Sequence, residues 1–265
     1  MSRTWNIALL QLDIASGDPD ANFAKVESAL NEAVRSDQDK PDIIVLPEMW
    51  NASYALERIG ELADVEGRRT REMISAFCRE HAVNVVAGSV AVKRGNRVTN
   101  TSFAFDRGGA MVAEYSKIHL FRLMEEDKHL TAGQHAGRMT LDGIPAGLAI
   151  CYDLRFPELA RKLAVDGAIM LFLPAQWPNP RLNHWRTLIA ARAIENQMFV
   201  IACNRVGSEG KSSFFGHSMI VDPWGDIVLE GGEEEGVLRA SIDLEAVDRA
   251  RRKIRVFEDR RPDLY

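Results

Sequence analysis

Short apolar runs alternate with amphipathic stretches from one end of the 265-residue chain to the other. Residues 5–12 read as a buried strand, and Asp18-Pro19 then supplies a helix N-cap with proline at the first helical position. Phe23, Val26, Leu30, Ala33 and Val34 follow at helical spacing. Further strands are predicted over 42–46 and 83–87, with a helix over 70–81 between them. Two strand-like runs, 101–105 and 110–113, flank Arg107-Gly-Gly, a hairpin signal. A long polar segment runs from Glu114 to about Gly137, and after it the opening pattern returns. Strands over 147–150, 168–173 and 198–202 alternate with helices over 157–165 and 182–196. Strands 218–221 and 227–229 pair around Pro223-Trp-Gly-Asp, Gly231-Gly-Glu-Glu-Glu-Gly reads as a solvated acidic hairpin, and 245–253 is the last helix. Alternation of this kind predicts an α/β fold with a largely buried sheet.

The two halves read as an internal pseudo-repeat, the alternative being a coincidence between two common strand endings. Ile43-Ile-Val-Leu-Pro-Glu-Met-Trp resembles Met170-Leu-Phe-Leu-Pro-Ala-Gln-Trp, each an apolar strand closed by Leu-Pro-x-x-Trp between flanking strand–helix units. Two such halves predict two sheets packed face to face with helices outside. That is a four-layer α-β-β-α sandwich in one domain spanning 1–265.

Composition narrows the function classes. The chain is 46% hydrophobic, enough to fill a large core, which excludes disorder. No apolar stretch approaches the roughly 20 residues that a bilayer demands. The first residues lack the apolar core of a signal peptide, so a cytoplasmic protein is expected. A net charge of −5 without a basic stripe argues against nucleic acid as a partner. The three cysteines, Cys78, Cys151 and Cys203, form no Cys-x-x-Cys pair, and a reducing compartment fits them best. Cys78 and Cys203 read as packed core thiols. No histidine spacing suggests a metal site, His119, His184 and His217 included.

Cys151 follows a strand and precedes the helix at Pro157, a turn that exposes a nucleophile at the carboxyl edge of a sheet. By itself the position is equally that of a core thiol. Glu48 also ends a strand, and its counterpart in the repeat is Ala175, so the Leu-Pro-x-x-Trp architecture does not require the acid. Lys117 is a polar residue in a strand-like run. Taken singly, these two read as a turn acid and a surface lysine.

Together the segments Leu46-Pro-Glu-Met, Tyr115-Ser-Lys-Ile-His-Leu-Phe and Ile150-Cys-Tyr-Asp-Leu-Arg-Phe-Pro-Glu-Leu resemble the nitrilase, or carbon–nitrogen hydrolase, superfamily over essentially the full chain. The resemblance implies the nitrilase-type α-β-β-α fold, a Glu48–Lys117–Cys151 triad, no cofactor or metal, and a homodimer or higher homo-oligomer. It implies that Glu48 takes the thiol proton while Lys117 and the Tyr152 backbone N–H stabilise the oxyanion. An ammonium beside the thiol is expected to lower its pKa. A second glutamate shortly after the lysine is also implied. Glu126 fits best by its spacing from Lys117 and from Thr131-Ala-Gly, with Glu125 as the adjacent register.

Among the remaining residues, Asp153, Arg155 and Glu158 are expected to fasten the elbow, and Arg192 and Glu195 to form an ion pair on their helix. Trp177 is expected to line the substrate pocket. The elbow Cys-Tyr-Asp-Leu-Arg-Phe-Pro-Glu resembles the amidase branch, and within it the omega-amidase type, rather than the nitrilases with Cys-Trp-Glu. The implied substrate is a small-molecule amide, such as the omega-amide of a 2-oxo acid. A carbamoylase or other C–N hydrolase with the same triad is the alternative, and a nitrilase or a non-catalytic binding protein fits less well. A substrate carboxylate calls for an arginine, for which Arg181 and Arg122 are the candidates.

Overall fold

A computed structural model describes residues 4–36 and 40–264. The first half runs β1 (Thr4–Gln11), α1 (Pro19–Ala33), β2 (Ile43–Val45), α2 (Ile59–Leu62), β3 (Asp64–Val65), α3 (Arg68–His81), β4 (Asn84–Val86), β5 (Val90–Arg94), β6 (Arg97–Phe105) and β7 (Met111–Ser116). A short helix α4 (Glu126–His129) leads into β8 (Gly137–Leu141), β9 (Ile144–Leu148), α5 (Pro157–Val165), β10 (Met170–Ala175), α6 (Leu182–Asn196) and β11 (Phe199–Asn204). The chain ends with β12 (Val206–Glu209), β13 (Ser212–Phe215), β14 (Met219–Val221), β15 (Ile227–Glu230), β16 (Gly236–Asp243) and α7 (Glu245–Lys253).

The repeat predicted from Leu-Pro-x-x-Trp is present in the topology. In the first sheet β1, β2 and β4 are parallel neighbours, β6 joins β4 antiparallel, and β7 pairs with β6. In the second sheet β9, β10 and β11 are parallel, β14 joins β11 antiparallel, and β15 pairs with β14. β8 lies antiparallel against β9, and the same place beside β1 is filled by β16, from the far end of the chain. Residues 231–236 therefore carry the chain from one sheet to the other and are not the hairpin expected. Gln11 Nε2 donates to the carbonyls of Gly232 and Glu234 in that crossover, at 2.9 and 2.7 Å. Its acidic composition resembles a turn, but backbone carbonyls and a side-chain clamp hold it in place.

Side-chain alternation sorts the layers. Ile7, Leu9, Ile43, Val45 and Val86 point into a core shared with Leu148, Phe172 and Ile201 of the second sheet. Ala8, Leu10, Ile44 and Val85 point the other way, onto Phe23, Val26 and Leu30 of α1 and Ile74, Phe77 and Cys78 of α3. On the opposite side Leu163 of α5 and Trp185, Ile189 and Ala193 of α6 cover the second sheet. The result is the α-β-β-α order of layers. The predicted bounds of α5, α6 and α7 agree with the structure, and Asp18 caps α1 by accepting from Ala21 N at 3.1 Å. Among the described residues no helix is long and apolar enough to cross a membrane.

The turn after β2, which brings in Pro47 and Glu48, is wedged against Gly88. Gly88 has φ +59, and a Cβ there would stand 2.0 Å from the Pro47 carbonyl oxygen. Gly88→Ala is expected to cost at least about 2 kcal/mol through strain and collision, and to displace the turn. Urea unfolding checks this, and a midpoint equal to that of the parent protein would contradict it.

Candidate active site

Three connections at carboxyl ends of strands meet where the two sheets face each other. The first follows β2 and carries Glu48, the second follows β7 and carries Lys117, and the third follows β9 and carries Cys151. Glu48, Lys117 and Glu126 are each 0% exposed, and Cys151 is 6% exposed.

Lys117 is the hub. Its Nζ donates to Glu48 Oε1 at 2.9 Å and to Glu126 Oε1 at 2.7 Å. Each carboxylate is satisfied further. Glu48 Oε1 accepts from Asn100 Nδ2 at 2.8 Å, and Oε2 accepts from the Gln176 backbone N–H at 2.8 Å. Glu126 Oε1 accepts from Tyr54 Oη at 2.8 Å, and Oε2 accepts from Phe121 N at 2.7 Å. Burial alone would push the lysine down, but Glu126 and Glu48 outweigh it and hold the ammonium charged. Burial and the nearby Glu48 push Glu126 up against the opposing pull of Lys117. Between the two neighbours Glu125 and Glu126, the structure selects Glu126. Glu125 is turned outward at φ +60 and pairs with Lys128.

Cys151 opens a 3-10 turn, Cys151–Arg155, at φ +44, a left-handed conformation that costs a non-glycine residue energy. Asp153 holds the turn as expected, accepting from Ile150 N at 2.8 Å, Tyr115 Oη at 2.6 Å and His119 N at 3.2 Å. Tyr115 and His119 flank Lys117, so one carboxylate ties the lysine segment to the cysteine turn. The Tyr152 N–H is the second of the turn, where no intrahelical acceptor exists, which leaves it available to an oxyanion. Arg192 pairs with Glu195 at 3.0 Å and also donates to Leu154 O, anchoring the turn to α6.

The thiol departs from expectation. Burial, and then the adjacent Glu48 to which it hydrogen-bonds, push Cys151 well above its ordinary value of 9.0, and Lys117 does not reverse this. Lys117 pulls the thiol down, but burial and the Glu48 carboxylate outweigh it. Cys151 is therefore held toward the neutral thiol, beside the Glu48 carboxylate. Cys78 and Cys203 lie in apolar cores, with burial pushing Cys78 up to about 12 and Cys203 up as well.

A narrow cleft lies over the sulfur, walled by Tyr54, Phe121, Met124, Tyr152, Gln176 and Trp177. Trp177 lies where the repeat placed it, its Nε1–H donating to Arg181 O at 3.2 Å. Arg181 and Arg155 also line the cavity, and among the described residues neither forms an ion pair. The Arg155 guanidinium lies 4.7 Å from the Trp177 ring, and Arg181 lies 5.9 Å from that of Phe121. Burial pushes Arg155 down, and Arg181, a like charge, adds to that. Arg155 was expected only to fasten the elbow, yet it faces the cavity. Arg122 does the reverse, its side chain 88% exposed beside Asp127 and outside the cavity. Tyr54, Asn100 and Gln176 were not anticipated. The repeat held a signal for Gln176, the residue after the Ala175 that replaces Glu48. Among the described residues no cluster of three His, Cys, Asp or Glu has the arrangement of a metal site.

Because the thiol is neutral at rest, alkylation of the free protein by iodoacetamide at Cys151 should keep rising with pH through 9. A plateau reached below pH 7 would mean a preformed thiolate and contradict the geometry.

Comparison with known proteins shows the family and the fold. Residues 6–252 match the carbon-nitrogen hydrolase family. The chain is 46% identical over 261 residues to a 2-oxoglutaramate amidase of Bacillus subtilis, covering 98% of this chain and 99% of the relative. It is 31% identical over 272 residues to omega-amidase NIT2 of Homo sapiens, covering 99% and 97%. Among solved structures, Nit3 of Saccharomyces cerevisiae, described as a member of branch 10 of the nitrilase superfamily, superposes with a TM-score of 0.90 at 28% identity over 98% of each chain. The family match over residues 6–252 and the full-length relatives show that the chain belongs to the carbon-nitrogen hydrolase family and is a hydrolase of carbon–nitrogen bonds.

Proposed function

We propose that this enzyme hydrolyses the terminal amide of a small 2-oxo acid, of the 2-oxoglutaramate type, releasing the dicarboxylate and ammonia. Glu48 accepts the proton of the Cys151 thiol as sulfur attacks the amide carbon. The tetrahedral oxyanion forms beside Lys117 and the Tyr152 N–H, worth about 3 kcal/mol for each well-placed donor. The C–N bond then breaks, with Glu48 returning the proton to nitrogen, and ammonia leaves an acyl thioester on Cys151. Glu48 next takes a proton from water, the hydroxide attacks the thioester carbon, and the C–S bond breaks with the proton returning to sulfur. A reducing compartment suits this chain, whose three thiols are all free and include the nucleophile.

The observation that carries the substrate class is the pair Arg155 and Arg181. Two guanidinium groups line the nucleophile's cavity with no carboxylate to neutralise them. A substrate carboxylate supplies the missing charge, and its planar geometry suits the guanidinium fork. The narrow aromatic walls suit a short, flat 2-oxo acid. The Bacillus subtilis and human relatives carry names of the same activity.

Ammonia release should be measured across 2-oxoglutaramate, 2-oxosuccinamate, uncharged amides of similar length, carbamoyl compounds and nitriles. The carboxylate-bearing 2-oxo amides should be turned over fastest. Arg155→Met should lower kcat/KM for them about 10- to 100-fold, the worth of a charge-assisted hydrogen bond, while leaving an uncharged amide nearly unaffected. Equal losses for charged and uncharged amides would overturn the assignment. Cys151→Ala, Glu48→Gln and Lys117→Met should each lower kcat by at least about 10³-fold, with the fold intact by circular dichroism.

A further inference from the structure

One fully buried arginine, linked to Glu48 through Gln176, is not used by the reaction above. Arg205 follows β11 and is 0% exposed. Its Nη1 donates to Glu209 Oε2 at 2.9 Å and to Gln176 Oε1 at 2.9 Å. Its Nη2 donates to Ile14 O at 2.7 Å, its Nε donates to Val206 O at 3.2 Å, and the Phe214 ring lies 4.3 Å from its Cζ. Asp13 stands 3.5 Å from Nη2. A buried guanidinium costs several kcal/mol unless it is paired and hydrogen-bonded this fully. Glu209 is matched to it: burial opposes its charge, but donors from Ser16, Ser53 and Arg205 hold the carboxyl below its usual range.

The partner that matters is Gln176. Its backbone N–H donates to the Glu48 carboxylate, and its Nε2 donates to the Glu48 carbonyl at 2.6 Å. An amide side chain can present either end, and a guanidinium has only donors. Arg205 therefore dictates that Gln176 turns its oxygen inward and its NH₂ toward Glu48. Ser53 Oγ also stands 3.1 Å from the same Gln176 oxygen, but its one O–H is directed to Glu209 as well, it accepts from Arg205 Nη1, and a hydroxyl would tolerate the reversed amide. With the amide reversed, two oxygens would face each other at the Glu48 carbonyl, and the turn holding the carboxylate would move.

We propose that Arg205 is a positioning residue for the reaction, orienting Gln176 so that Gln176 holds Glu48 in register with Cys151. Arg205 touches no substrate and lines no part of the cavity. The inference rests on the reading of Glu48 as the base.

The test compares Arg205→Lys, Gln176→Leu and the double variant, with 2-oxoglutaramate as substrate. Lysine keeps the charge but lacks the fork that reaches Gln176, Glu209 and Ile14 at once. Arg205→Lys should lower kcat about 10- to 100-fold, the scale of an ångström-level misplacement, with KM within about twofold. Iodoacetamide alkylation of Cys151 should slow in parallel. If Arg205 acts through Gln176, the double variant should be no slower than Gln176→Leu alone within about threefold. Arg205→Met with Glu209→Met removes both charges, so no orphaned carboxylate penalises folding. That pair should melt close to the parent protein and still be slow. Losses that multiply in the double variant, or a folded Arg205→Lys or double-methionine protein with the parent's kcat, would overturn the proposal. Glu48→Gln assayed alongside keeps the two claims separate: an active Glu48→Gln defeats the assignment of the base. An inactive Glu48→Gln beside a fully active Arg205→Lys defeats only the role of Arg205.

Discussion

The ammonium of Lys117, shared between two carboxylates and sealed from water, is the interaction on which the rest of the site depends. Three ionisable groups with no exposed surface are expensive to bury. They persist here because Asn100, Tyr54, Phe121 N and Gln176 N each fill a remaining acceptor position on the carboxylates. Those donors come from four segments of chain, so the charge cluster ties the loops after β2, β7 and β10 to strand β6. Beside it, burial and the Glu48 carboxylate hold Cys151 toward the neutral thiol against the pull of Lys117, and a thiol beside a carboxylate calls for proton transfer in step with attack.

The duplicated architecture explains why the site lies where it does. Equivalent turns, one after β2 and one at the end of β10, meet across the junction of the two sheets. Glu48 N donates to Ala175 O, and Gln176 returns two hydrogen bonds to Glu48. One half supplies the acid and the other, with alanine in its place, supplies the clamp that grips it. The second half also supplies Cys151, on the turn after β9. Loss of symmetry between the repeats is what makes room for chemistry. Two acids at this contact would repel each other, and two alanines would do nothing.

What the sequence made legible follows from how locally each feature is encoded. The helices 157–165, 182–196 and 245–253 carry their own periodicity and stop signals, and the central strands are unbroken apolar runs. β8 and β16 were missed because edge strands with one covered face mix charges and glycine into the pattern. The crossover at 231–236 looked like a hairpin because the place of β16 beside β1 is a long-range fact. Glu48, Lys117 and Cys151 were readable from the segments around them, and Glu126 from its spacing. Arg155 and Arg122 were misjudged because the direction of a side chain on a 3-10 turn is not written in its neighbours. The lowering expected from Lys117 is present, but burial and the Glu48 carboxylate outweigh it, and neither is visible from the lysine–cysteine pair alone.

The central claim is that Cys151 carries the acyl group and Glu48 moves the protons. It is tested most directly by rapid acid quench during turnover of 2-oxoglutaramate, followed by intact mass and peptide mapping. A transient adduct of the acyl mass is expected, confined to the peptide bearing Cys151, absent from Glu48→Gln and convertible to a hydroxamate by hydroxylamine. An adduct on Cys78 or Cys203, or steady turnover with Cys151 replaced by alanine, would contradict it.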